Sequence, residues 1–136
     1  MMNQRQLKEY APAIVRISLS LVFLWFSFNQ FFLTNNFIDL IPSWVVSLSG
    51  ISPDMFVILN AILEFAFGMF LLLGIHVRLS AFILGLHLLG IAFSLGYGTT
   101  MIRDLGLALA TLSICFQGND VLCISRKRLA NTEQTN

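Results

Sequence analysis

Charged residues are scarce in this sequence of 136 residues: eight are Lys or Arg and seven are Asp or Glu, which together make up 11% of the chain. A soluble domain has about 25% charged residues. Hydrophobic residues make up 57%, which is more than the interior of one small soluble domain can bury. The composition therefore excludes an ordinary soluble domain and indicates that lipid surrounds much of the chain.

Cysteine and histidine are also few, with two of each. Cys115 and Cys123 form no CxxC pair, and we predict that both lie on one helix, too far apart for a disulfide bond. No His and Cys residues cluster at the spacing of metal ligands, so the sequence predicts no metal site and shows no cofactor motif. The net charge of +1 gives no field that would attract nucleic acid.

Long apolar runs are what the sequence has instead, and each membrane-spanning helix needs about 20 such residues. The run from Ala11 to Leu33 is too long for the apolar core of a signal peptide, so we interpret it as part of the mature protein. The pattern predicts an all-α polytopic membrane protein, a bundle of four transmembrane helices. The predicted spans are residues 12–33, 54–75, 79–97 and 100–122.

The segment between the first two spans is apolar from Ile38 to Leu48 but too short to cross a membrane, and Pro42 interrupts it. Trp44 is typical of a segment that lies at the membrane interface. Two interpretations stay open: a plain interfacial loop, or a lid over one end of the bundle.

The basic residues predict the orientation, because cytoplasmic loops are enriched in Lys and Arg. With both termini in the cytoplasm, Arg103 alone is left near the other face. The basic residues on the cytoplasmic side are then Arg5, Lys8, Arg16, Arg78, Arg126, Lys127 and Arg128. The sequence predicts one membrane domain over residues 1–130 and a disordered tail over residues 131–136.

Polar residues inside the predicted spans are the candidate functional residues, since ionisable groups in lipid normally face a bundle interior. Glu64 lies near the middle of the second span, where it is either ionised and paired with an arginine or protonated. Small residues let another helix approach, so we predict that its helical face, which it shares with Asn60, Ala61 and Gly68, points into the bundle. His87 lies at a similar depth, so it could meet Glu64, either as a hydrogen-bonded packing residue or in a proton-relay or quinone-bonding role. Arg16 either faces the interior or extends to the cytoplasmic surface. The candidate ligand site comprises Asn29, Gln30, Glu64, His87, Arg103 and Asp104.

Arg103 and Asp104 are adjacent, so their side chains leave a helix about 100° apart. We expect each to bond with a different helix, with Glu64 or a ligand as the partner of Arg103. Around them, small and polar residues form two adjacent stripes that predict a broad buried face on the fourth span. The stripes are Arg103, Gly106, Ala110, Ser113 and Gln117, and Asp104, Ala108, Thr111 and Cys115. Together these residues predict a polar funnel that opens outward and ends near Glu64.

Three stretches resemble the DoxX family of small four-helix membrane proteins: RISLSLVFLWFSFNQF, EFAFGMFLLLGIHVRLSA and IRDLGLALATLSI. Within them, Glu64, Arg103 and Asp104 match family-like positions. Some relatives are described as the small subunit of a thiosulfate:quinone oxidoreductase. The resemblance implies a multi-pass protein of the prokaryotic cytoplasmic membrane that acts as a membrane subunit or quinone-interacting partner of a redox complex. Any enzymatic activity would be that of an oxidoreductase subunit, with quinone as the ligand.

Two other functions remain open from the residues themselves. The polar residues could line the path of a small-solute carrier or channel, or they could serve only the packing of a non-catalytic scaffold for a partner complex. The expected partners are the lipid bilayer and either a redox subunit or further copies of the chain, with no nucleic acid. Both cysteines are predicted in the cytoplasmic half of the fourth span, away from the funnel, which argues against thiosulfate oxidation by this chain alone.

Overall fold

The computed structural model describes residues 4–124, and all regular structure within that range is helical. Four long helices are each long and apolar enough to cross a membrane. The predicted all-α fold with four membrane-spanning helices is therefore confirmed. The helices are α1 (Gln4–Phe32), α2 (Asn35–Ile38), α3 (Ser43–Ser49), α4 (Pro53–Leu73), α5 (Val77–Ser94) and α6 (Thr99–Gln117), of which α2 and α3 are short.

The last helix is shorter than predicted. The fourth span was expected to reach Leu122, whereas α6 ends at Gln117 because Gly118 has a positive φ of 75° that breaks the helical path. Cys123 therefore lies beyond α6, and the prediction that both cysteines share one helix is wrong. Cys115 and Cys123 are free thiols. The cluster from Arg126 to Arg128 and the predicted tail lie outside the described residues.

The bundle has two ends, which we name by what lies there. The terminal end holds the beginning of α1, the turn between α4 and α5, and the segment after α6. The loop end holds α2, α3 and the turn between α5 and α6. The most extensive helix contacts are those of α5 with α6 and of α1 with α4; α4 packs on α5, and a smaller contact joins α1 to α6.

Small residues allow the helices to approach closely, as is usual in membranes. A Cβ atom at Gly85 of α5 would lie 2.6 Å from Cγ of Leu112 on α6, so a larger residue there would force the Leu112 side chain to move. Gly68 of α4 lies against Phe23 and Leu24 of α1. The buried face of α4 contains Ala61, Glu64 and Gly68, as the sequence predicted.

The buried face of α6 is narrower than predicted. Asp104, Ala108 and Thr111 are buried, but the neighbouring stripe that begins at Arg103 is not, and Gly106 on it is exposed. The physical reason is that α6 packs chiefly against α5 and makes only a small contact with α1. One stripe of small and polar residues is thus enough to serve the packing of α6.

Arg16 is buried at the terminal end, with 1% of its surface exposed. Its Nε donates to Oδ2 of Asp120 at 2.7 Å, and its Nη1 donates to the carbonyl oxygens of Leu71 and Leu72. Those carbonyls lie in the last turn of α4, where helical backbone oxygens lack intrahelical donors. Arg16 therefore faces the interior, and it joins α1, the end of α4 and the segment after α6.

The segment after α6 closes tightly over this end of the bundle. A Cβ atom at Gly74, which has a φ of 70°, would lie 2.6 Å from Cα of Cys123. Burial acts to raise the pKa of Asp120, but hydrogen bonds from Arg16 and from the Leu122 N–H, together with the charge of Arg16, outweigh burial and hold the pKa below its ordinary value. Burial raises the pKa of the Cys123 thiol.

Asp120→Asn should lower the free energy of unfolding by about 3–5 kcal/mol, because it leaves the buried Arg16 without its counter-ion. Because the pKa of Asp120 is depressed, its contribution to the free energy of unfolding is present at neutral pH and is lost as the pH falls through the lowered pKa. The variant lacks this carboxylate, so its stability should fall less steeply in acid than that of the wild type. Denaturant unfolding in mixed micelles, followed by circular dichroism at several pH values, measures both effects. Asp39→Asn removes an exposed carboxylate and is the matched control. Equal losses in the two variants would contradict the role of the ion pair.

Candidate functional site

A cavity of about 500 Å³ lies in the half of the bundle nearer the loop end. Its walls come from α1, α4, α5, α6 and the segment of residues 37–49. Most of the lining side chains are apolar, and its volume is typical of sites for small organic molecules. The aromatic residues of the wall are Phe23, Phe26, Phe37, Trp44 and Phe56.

Glu64 is the centre of a hydrogen-bonded group in the cavity wall. Only 4% of the residue is exposed. Its Oε2 accepts a hydrogen bond from Nε2 of Gln30 at 2.7 Å, and its Oε1 accepts one from Nδ2 of Asn60 at 3.2 Å. Asn60 Nδ2 also donates to Oε1 of Gln30 at 2.7 Å. The carboxyl group of α4 is thus held by amides from α1 and from its own helix, and no described arginine bonds to it.

His87 joins this group from α5. Its Nε2 lies 2.6 Å from Oδ1 of Asn60, and an amide oxygen only accepts, so Nε2 carries the hydrogen in this arrangement. His87 therefore reaches Glu64 through Asn60 rather than directly. We refer to Gln30, Asn60, Glu64 and His87 as the Glu64 cluster.

Arg103 and Asp104 bond to each other. Nε of Arg103 lies 2.8 Å from Oδ1 of Asp104, so the prediction that each would seek a different helix is wrong. Adjacent side chains do leave a helix in different directions, but the long, flexible arginine turns back toward its neighbour. Burial supplies the driving force, because the Asp104 side chain is only 6% exposed and a buried carboxylate needs a counter-charge.

The guanidinium of Arg103 keeps free donors after forming this pair. Within the described residues only its Nε makes a hydrogen bond, and half of the side chain is exposed. The guanidinium lies 5.0 Å from the ring centroid of Phe26 on α1, within the range of a cation–π contact. Arg103 and Asp104 both line the cavity. The terminal nitrogens Nη1 and Nη2 are therefore available to an acceptor that enters it.

Five of the six predicted site residues line the cavity: Gln30, Glu64, His87, Arg103 and Asp104. Asn29 does not belong to the wall, because its Nδ2 bonds to the carbonyl oxygen of Trp25 in its own helix. Asn60 shares the helical face of Glu64 and lines the cavity, but it is not among the predicted site residues. Its position four residues before Glu64, on the same helical face, was the signal that could have included it.

The segment of residues 37–49 forms the wall of the cavity at the loop end. Trp44, Val45 and Leu48 of α3 line the cavity, although no residue of α3 is fully buried. Pro42 is the N-cap of this short helix, and Gly50, with a φ of 65°, is its C-cap. Of the two interpretations left open by the sequence, this placement agrees with a cover over one end of the bundle.

Comparison with known protein families identifies the family of the chain. A family model described as DoxX matches residues 11–97. No curated protein and no solved structure matches the chain. The matched range includes all four residues of the Glu64 cluster and ends before Arg103 and Asp104.

Asn60→Ala should lower the free energy of unfolding by about 1–2 kcal/mol, because it removes the partner that joins His87, Gln30 and Glu64. Asn29→Ala is the matched control: it deletes the same side chain from the residue next to Gln30, which leaves α1 about 100° away from it and whose only described bond is to its own helix. It should change the stability by less than about 0.5 kcal/mol. Unfolding of both variants in mixed micelles measures the difference. Equal stability of the two variants would show that the cluster does not hold α1, α4 and α5 together.

Proposed function

The chain belongs to the DoxX family, and from that membership we propose that it is a quinone-interacting membrane subunit of a redox complex in the prokaryotic cytoplasmic membrane. The single observation that carries the proposal is the cavity, which is mostly apolar yet has polar side chains of the membrane-spanning helices in its wall. A quinone has the matching shape and polarity: a flat ring with two carbonyl acceptors, attached to an apolar tail.

The free donors of Arg103 support a carbonyl ligand. A guanidinium nitrogen that donates to a carbonyl oxygen makes a charge-assisted hydrogen bond, which is stronger than one between neutral groups. Nη1 and Nη2 provide such donors, while the bond from Nε to Asp104 fixes the orientation of the guanidinium. A ligand held by Arg103 would lie beside the rings of Phe26 and the neighbouring aromatic residues.

The Glu64 cluster supports a role in proton exchange. A quinone that is reduced takes up protons, and a side chain with exchangeable protons close to the ring can supply them. Glu64 lines the cavity and His87 is linked to it through Asn60. Electrons would come from a partner redox subunit, so the chain contributes the binding site and the proton path rather than a complete reaction.

Quinone binding should be visible in the fluorescence of Trp44, which lines the cavity, whereas Trp25 on α1 is not part of the cavity wall. In a Trp25→Phe background in nanodiscs, decylubiquinone should quench Trp44 saturably. Arg103→Leu should weaken binding by about tenfold or more, because it removes a charged donor. Arg78→Leu, which removes an exposed arginine at the terminal end, should leave binding unchanged.

Two outcomes would contradict this proposal. Quenching that rises without saturation would show that the quinone only partitions into lipid, and equal affinities in the Arg103 and Arg78 variants would show that Arg103 is not a ligand. Extraction of the purified protein and mass spectrometry of the extract tests for quinone that remains bound from the cell. A quinone-free extract together with solute flux in proteoliposomes would favour a carrier instead.

Both termini should lie in the cytoplasm, because four spans return the chain to its starting side and the basic residues are concentrated there. Asn36→Cys places a thiol at the loop end and Gln4→Cys places one at the terminal end, at exposed positions. A membrane-impermeant maleimide should label the Asn36 variant in intact spheroplasts and the Gln4 variant only after lysis. The wild-type protein is the control for the native thiols. The reverse labelling pattern would overturn the orientation.

A further inference from the structure

We propose that Glu64 makes the cavity select between the two redox states of its ligand: the ionised carboxylate favours the hydroquinone, and the protonated carboxyl admits the quinone. This inference rests on the proposed function and adds to it the residue that determines specificity. The argument depends on the directions of the hydrogen bonds around Glu64 and on the positions of the charges.

All hydrogen bonds in the Glu64 cluster are directed toward the carboxyl group. His87 donates to Asn60, Asn60 donates to Gln30 and Glu64, and Gln30 donates to Glu64. The two carboxyl oxygens accept one hydrogen bond each from these amides. A carboxylate has about four lone-pair sites, so each oxygen retains capacity for a further donor. Since Glu64 lines the cavity, that donor can belong to a ligand.

Two side chains on different walls of the cavity therefore have opposite hydrogen-bonding roles. Arg103 of α6 only donates, and an ionised Glu64 of α4 only accepts. A hydroquinone matches both walls, because one oxygen accepts from Arg103 while the hydroxyl on the far side of the ring donates to Glu64. A quinone has two acceptors, so its second carbonyl would face the carboxylate with no hydrogen between them. A proton on Glu64 removes this conflict, because the carboxyl group then donates.

Charged groups from the neighbouring helices do not neutralise Glu64 directly. From α6, Asp104 is close enough to interact electrostatically with Glu64, while Arg103 bonds to Asp104. From α5, the titratable group is His87, which acts through Asn60. From α1, the contact is the uncharged amide of Gln30. Within the described residues Glu64 forms no ion pair, so a proton can neutralise its charge and a ligand that donates a hydrogen bond can stabilise the carboxylate.

The test compares the dissociation constants of decylubiquinone and decylubiquinol under anaerobic conditions, in nanodiscs and in the Trp25→Phe background. Quenching of Trp44 reports the quinone, and relief of that quenching reports displacement by the quinol. The measurements run between about pH 5 and about pH 9, where buried carboxyl and imidazole groups titrate. The ratio of the quinone constant to the quinol constant should rise by about tenfold or more with pH, which is the value of a hydrogen bond to a charged group.

Two variants identify the group responsible. Glu64→Gln both donates and accepts at every pH, so its ratio should not depend on pH. His87→Gln keeps an amide donor for Asn60 but cannot titrate, so its ratio should rise with pH as in the wild type. If the Glu64 variant does not fold, the wild-type protein and the His87 variant still test the inference, because the ratio must rise with pH in both.

The outcomes separate this inference from the function on which it rests. If neither redox state binds saturably, the proposed function fails and the inference fails with it. If both bind with a ratio that is constant over pH, the cavity takes quinones but Glu64 does not select between their redox states. If the pH dependence disappears in the His87 variant and persists in the Glu64 variant, His87 is the selecting group and the proposal is overturned.

Discussion

The bonding of the Arg16 guanidinium is the constraint on which the arrangement of the helices depends. A buried cation has no water to solvate it, so its donors must find protein acceptors. Arg16 finds them in the last turn of α4 and in Asp120 beyond α6. Along α1, residues 16, 23 and 30 recur at intervals of seven and form one seam with α4. Arg16 fixes one end of this seam, Phe23 lies against Gly68 in the middle, and Gln30 meets Glu64 at the other end. The Glu64 cluster and the ion pair thus lie at opposite ends of one seam between α1 and α4.

The sequence was sufficient to predict the features that depend on local composition and periodicity. Apolar runs predicted the four long helices, and helical spacing predicted the buried face of α4. Five of the six predicted site residues line one cavity because polar residues within apolar runs have only the bundle interior to face. Asn29 was misplaced because a helical asparagine can instead bond to the carbonyl four residues before it.

The contacts that the sequence did not predict depend on side-chain reach and on long-range geometry. Asp120 is 104 residues from Arg16, and no periodicity relates the two. Arg103 was assigned to another helix on the direction of its Cβ alone, but the length of its side chain allowed it to reach Asp104. The width of the buried face of α6 depends on how closely α1 approaches, which the sequence of α6 does not contain.

The cavity joins two groups of residues that the chain encodes separately. The Glu64 cluster lies on α1, α4 and α5, and its members hold each other in place without help from α6. Arg103 and Asp104 lie next to each other on α6, and their ion pair is formed within that helix. Substitutions at these two positions therefore leave the hydrogen bonds of the cluster intact. The wall of the cavity that α6 contributes can therefore change in charge and size while the wall formed by the Glu64 cluster keeps its geometry.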